Sequence, residues 1–326
     1  MKIYCSKNFF VIMLIAIGLI FLILFLPLDI LEFLSINIVG GPPINGKTWI
    51  EGVYAIGGPI SMRILAILGI LIILFTIPFI LKLSKPKLSA RKVNKYELFL
   101  FFIIAFIFLF INYEIGYSWW DSNAFLGMGP LFFQSIISLI VLGLSPFFIK
   151  KIFKLKSSDF FSSKENLKSN SIVVIIIAFG YGLISLLWHC CSFYSYKMFF
   201  FFFIIKLIQL WGICSFFYQW SLNMLLNIIK DWKAYTIISI LFGLCYPWHT
   251  FGFAITFIFF GFLISYLTRK TKSYYTGLIL LYFAYIFHAG LAWNGSFITF
   301  SLIYPITIVI CLITIFYSSR GILFKK

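Results

Sequence analysis

Apolar residues run along this chain in long unbroken stretches, and polar residues gather in short intervals between them. The stretches are continuous rather than alternating, which argues for helices and against strands. Crossing about 30 Å of hydrocarbon takes about 20 mostly apolar residues. On that measure ten segments are predicted to span a membrane: 9–27, 63–81, 97–113, 127–149, 171–189, 199–228, 234–247, 250–267, 274–291 and 297–317. Phe and Ile are frequent in them, but in lipid every backbone polar group must be satisfied within its own segment, and this overrides soluble helix propensities. The first run is followed by Leu26-Pro27-Leu28-Asp29 rather than by small residues. It is therefore read as a retained helix and not as a cleaved leader. The stretch from about Pro27 to Met62 is rich in Gly and Pro and reads as an irregular outer loop.

Charge sorts the intervals into two classes. Of the 26 lysines and arginines, all except Lys47, Arg63, Lys197 and Lys206 fall on one side of a ten-helix chain. Such asymmetry is the mark of cytoplasmic loops, so both termini are expected in the cytoplasm. The expected fold is an all-α, polytopic integral membrane bundle of about ten helices, in the cell membrane. The interval between the fourth and fifth spans is rich in Ser and Lys and reads as a flexible cytoplasmic connector.

Composition closes off the other classes. Of 326 residues, 62% are hydrophobic, 21% aromatic and only 11% charged, with a mean hydropathy of +1.06. A soluble globule has too little interior for that much apolar surface, and a disordered chain would be polar. The net charge of +17 belongs to short loops that meet anionic lipid, so membrane lipid is the expected partner. Nucleic acid is not, since no basic soluble segment interleaved with aromatics exists.

Few residues offer chemistry. The three histidines, His189, His249 and His288, lie towards the outer ends of their spans. Imidazole is the commonest metal ligand, and ionisable groups at membrane depth are candidate functional groups. None of the nine acids lies inside the sixth to ninth spans. Glu114 and Asp121 sit at an outer aromatic belt, and Lys206 lies within the sixth span. The six cysteines have no paired CxxC spacing, so no structural zinc module is indicated.

From about Trp211 to Asn294 the order of features resembles the CPBP family of intramembrane metalloproteases, which includes the CAAX prenyl endopeptidases and bacteriocin-processing proteins. The stretch from Ile237 to Leu244 is similar to that family's second-motif helix. Gly261 to Arg269 resembles its glycine-containing helix, and Tyr285-Ile-Phe-His288-Ala-Gly290 its third-motif helix. The resemblance implies two regions. Residues 1–170 form an N-terminal four-helix part with the outer loop and the cytoplasmic linker, and 171–326 the CPBP-like part. It implies an all-helical fold, zinc as the cofactor, and a membrane-embedded or lipidated peptide as partner.

The motif residues depart from the family's pattern. Cys214 and Ser215 stand at the paired glutamates, and Gln219 stands at the arginine. His249, His288 and Asn294 match the remaining motif positions only with shifts along the chain. His249 and His288 would be the metal ligands. A degenerate member without hydrolysis is the leading expectation. One alternative is an active metal-dependent endopeptidase that recruits an outer acid to take a proton from metal-bound water. The other is a transporter or lipid-handling protein whose path is lined by Gln209, Gln219 and Asn223. Charge sidedness puts His249 and His288 near the outer leaflet, whereas prenylated tails are made in the cytosol.

Overall fold

The apolar stretches fold as helices. A computed structural model of the chain describes residues 14, 16–18, 20–21, 59–82, 91–120, 128–165, 167–185, 196–245 and 251–292. The principal helices are α1 (Pro59–Lys82), α2 (Lys95–Trp120), α3 (Met128–Ile137), α4 (Ser145–Ile152), α5 (Leu167–Ser185), α6 (Tyr196–Cys214), α7 (Leu222–Leu226), α8 (Asp231–Leu244), α9 (Phe251–Thr271) and α10 (Tyr274–Ala292). No strand occurs among the described residues, so the fold is all-α there. Helices occupy the described parts of the second to ninth predicted spans, apart from short breaks such as the turn at 227–228. The last span lies outside the described residues, as does most of the first. Lys95–Glu114 and Phe132–Ile152 are long and apolar enough to cross a membrane, two such helices among the described residues.

Two π-helical segments interrupt the longer spans. π1 (Ser138–Gly143) joins α3 to α4, and π2 (Ser215–Ser221) joins α6 to α7. π1 ends where the Leu144 N–H donates to the Leu139 carbonyl at 3.0 Å, just ahead of Pro146, which has no N–H to give.

The residues gather into two compact units. One is formed by Met1–Leu83, Ile172–Tyr194 and Phe283–Lys326, the other by Ser84–Ser171 and Ser195–Tyr282. In the first unit α1 and α5 meet at Gly69 and Gly180. A Cβ on Gly180 would stand 2.8 Å from the Gly69 carbonyl oxygen, and one on Gly69 would meet the Gly180 carbonyl. Small residues let membrane helices approach this closely. Around them Leu65, Ala66, Val174, Ile177 and Ala178 are buried. Phe179 packs edge-on against Phe287, with ring centroids 5.1 Å apart.

The second unit buries several polar side chains and exposes a stripe of aromatics on α2. On α2, Phe101, Ala105, Phe108 and Asn112 are buried, while Phe99, Phe102, Phe106 and Phe110 form a stripe that is 51–70% exposed. Both sets follow the helical repeat. Gln134, Ser138, Lys206, Gln209, Ser239 and Thr268 are buried. An amide chain runs through four elements. Asn112 Nδ2–H donates to the Cys245 carbonyl at 2.8 Å, Gln134 Nε2–H to Asn112 Oδ1, and Gln209 Nε2–H to Gln134 Oε1 at 2.9 Å. A contiguous exposed apolar surface of this kind suits lipid better than water.

The core of this unit is aromatic. Phe101 stacks on Phe216 at 5.8 Å, Phe216 contacts Trp220 at 5.5 Å, and Tyr218 meets Phe242 edge-on at 5.7 Å. Beside it α6 crosses π1 with no room to spare. A Cβ on Gly143 would lie 2.7 Å from the Trp211 ring, and one on Gly212 would lie 2.6 Å from the Ser138 carbonyl carbon. Backbone cannot rotate aside as a side chain can. Gly212→Ala is therefore expected to destabilise the protein by about 1–3 kcal/mol through overpacking. A lowered midpoint of thermal aggregation in detergent would register it; an unchanged midpoint would mean that the crossing is looser than described.

Candidate functional site

Cys214, Ser215 and Gln219 occupy the junction of α6 and π2. Cys214 is the last residue of α6 and is fully buried. Its thiol is free and buried. Ser215 opens π2 and is also fully buried. Its hydroxyl donates to Gln219 Oε1 at 2.9 Å. The residues that the resemblance sets against two glutamates and an arginine are thus a buried thiol and a hydroxyl that donates to an amide oxygen.

A metal-binding reading of this junction fits poorly. Zinc takes thiolate, imidazole or carboxylate donors in a near-tetrahedral set. The three residues supply one thiol in an apolar core, one hydroxyl and one amide oxygen that the hydroxyl already occupies. Among the described residues no group of three or more His, Cys, Asp and Glu side chains is placed to hold a metal. His249 and Asn294 lie outside the described residues, as do His189 and Asp121. His288 falls on α10, and its side chain is not among those described. Glu114 lies on α2 with an exposed side chain.

The other sequence candidates take structural positions. Gln209 is 1% exposed and bonded to Gln134. Lys206, one helical turn before it, is buried within the bundle. Asn223 on α7 is buried, and neither its Oδ1 nor its Nδ2 has a hydrogen-bond partner. Its backbone carbonyl accepts the Asn227 Nδ2–H at 2.8 Å.

Gln219 leads to a feature that the sequence did not announce. It is half-buried and lines an open cleft of about 100 Å³ together with Pro146, Phe147 and Lys150 of α4 and Ser157, Phe160 and Ser162 of the following loop. That loop, expected to be a flexible connector, is pinned along its length. The Phe161 N–H donates to the Gln219 carbonyl, the Tyr274 N–H donates to the Phe161 carbonyl, and the Ser163 N–H donates to the Lys272 carbonyl, each at 2.9 Å. Ser162 and Ser273 form an isolated antiparallel bridge. Asp159 caps its own short turn by accepting the Lys156 N–H at 2.9 Å. Phe160 and Phe161 are both buried and anchor the loop. Two adjacent phenylalanines in an otherwise polar interval are the signal that could have revealed it, since a solvated connector has no use for them.

Compared with protein families, with characterised proteins and with solved structures, the chain matches none.

Proposed function

We propose that this chain is a polytopic membrane protein, with both termini in the cytoplasm, that shares the architecture of the CPBP proteases but does not hydrolyse peptides. Its membrane character is supported by the Phe stripe on α2, by the buried amide chain, and by positive charges gathered on one side. The observation that carries the non-hydrolytic reading is the state of Cys214, Ser215 and Gln219. Activating a metal-bound water needs a carboxylate to receive its proton. Where the resemblance expects that carboxylate, a buried thiol stands and a serine hydroxyl donates to Gln219. Ser215 and Gln219 bond to each other within π2, and the role left to the protein is to bind a lipid or a membrane-embedded peptide without cutting it.

Metal content tests this reading. Protein purified in mild detergent, without a histidine tag, is expected to carry zinc far below one ion per chain. His249→Ala and His288→Ala are expected to change that content by nothing measurable. Near-stoichiometric zinc lost in both variants would overturn the reading and restore the protease.

A further inference from the structure

We infer that the cleft between α4, the 157–162 loop and π2 is a binding site for the phosphate of an anionic phospholipid headgroup. All of its residues belong to the second compact unit. The inference rests on the membrane reading above but not on the family resemblance.

Donors define the cleft. Lys150 Nζ donates to Ser157 Oγ at 3.1 Å and stands 5.9 Å from the centre of the Phe160 ring. These contacts hold the ammonium at the cleft, and it has two further N–H groups to give. Ser157 accepts from Lys150, so its own O–H remains to be donated. Ser162 also lines the cleft and brings a second hydroxyl. Gln219 accepts from Ser215 through Oε1, which leaves its NH2 group for the cleft.

Residues bearing an ammonium, two hydroxyls and an amide NH2 thus line one space, and no acidic residue lines it. Asp159, the acid nearest in sequence, is turned onto the Lys156 N–H. Such a set matches an anion with several acceptor oxygens, and a phosphate is the form in which lipids carry one. The cleft is small, about 100 Å³, and opens to the outside, so it suits a compact headgroup anion rather than a whole lipid.

The surroundings favour a lipid over a soluble phosphate. Pro146, Phe147 and Phe160 form apolar walls. Phe147, Phe148 and Ile152 expose about 60% of their surfaces on the outer side of α4. A lipid tail leaving the cleft would lie along these side chains. Lys150, Lys151, Lys154 and Lys156 crowd the same end of the helix, on the side that the charge rule assigns to the cytoplasmic leaflet, whose lipids are anionic.

The test uses the full chain in mild detergent, titrated with phosphatidylglycerol and with phosphatidylcholine and read by native mass spectrometry. Wild-type protein is expected to prefer phosphatidylglycerol. Lys150→Ala should weaken that binding about tenfold, the loss of one charge-assisted hydrogen bond, and Ser162→Ala should weaken it less. Lys233→Ala, which removes the same charge from an exposed position on α8, should leave it within about twofold. Equal losses in Lys150→Ala and Lys233→Ala would overturn the site in favour of diffuse charge. Inorganic phosphate binding as tightly as the lipid would overturn the lipid assignment in favour of a soluble phosphate compound. Alkaline carbonate extraction separates the two levels: protein that washes off membranes sinks the membrane reading, whereas protein that stays but fails the lipid titration sinks the cleft alone.

Discussion

The double substitution Cys214→Glu and Ser215→Glu, which would install the paired carboxylates that the resemblance expects, is expected to cost the protein its fold rather than to confer hydrolysis. Both positions are fully buried among Phe216, Phe217, Tyr218 and Trp220. Each glutamate adds volume to a space already filled, which costs about 1–3 kcal/mol when a packed core must shift. Each also brings a carboxylate that must ionise at a penalty of several kcal/mol or stay protonated without its preferred partners. The Ser215–Gln219 hydrogen bond is lost as well. Cys214→Ala serves as the control, since it removes only a sulfur atom from the core and is expected to cost about 1 kcal/mol. Size-exclusion chromatography of detergent-purified protein reads the difference: the double variant should aggregate while Cys214→Ala elutes as wild type does. A double variant that remains monodisperse and gains zinc would mean that these positions border a hydrated catalytic space, and the non-hydrolytic reading would fail.

The same residues mark how far the sequence can be read. Ser215 and Gln219 are four apart, the spacing at which helical side chains meet, so their pairing follows from the sequence alone. The helices are legible as well, because a continuous apolar run leaves the backbone no other way to satisfy itself in lipid. Their ends are less so. α2 starts at Lys95 rather than at the first strongly apolar residue, and it continues to Trp120, past the polar Glu114. π1 and π2 could not be foreseen, because they answer to tertiary contacts. Gly143 lies under Trp211, and Gly212 lies on the Ser138 backbone. The cleft is hidden for the same reason. Its lysine and serines come from residues 150–162, and its amide from Gln219. No local pattern joins segments so distant in sequence. The Ser/Lys-rich composition of the loop also points away from order, and only the buried Phe160–Phe161 pair points towards it.

Removing a single buried acid should be nearly as damaging as adding two. Glu97 ends the sequence Asn94-Lys-Tyr-Glu97 and acts in two ways. Its Oε1 accepts the Asn94 N–H at 3.2 Å, while Asn94 Oδ1 accepts the Tyr96 N–H at 3.0 Å, and together these cap the start of α2 reciprocally. Its two oxygens also accept the Arg91 guanidinium in a forked pair at 2.9 and 2.8 Å. Its side chain is only 3% exposed and that of Arg91 12%. The Arg91 backbone N–H donates in turn to Asn227 Oδ1 at 3.2 Å, so the arrangement ties the entry to α2 to the chain leaving α7. Glu97→Ala strips the cap and leaves a guanidinium with little access to water. Breaking one side of a buried pair typically costs about 3–5 kcal/mol, and the lost cap adds about 1 kcal/mol. Glu97→Gln keeps an acceptor for the cap and should be markedly milder. Replacing the pair together, as Arg91→Met with Glu97→Gln, removes the stranded charge and should recover part of the loss, because much of the penalty belongs to the unpaired cation rather than to the missing bond. Thermal aggregation midpoints of the three variants decide this. A double variant no more stable than Glu97→Ala would mean that neither the cap nor the stranded cation accounts for the loss, and that the forked Arg91–Glu97 pair itself sets the stability of this end of the helix.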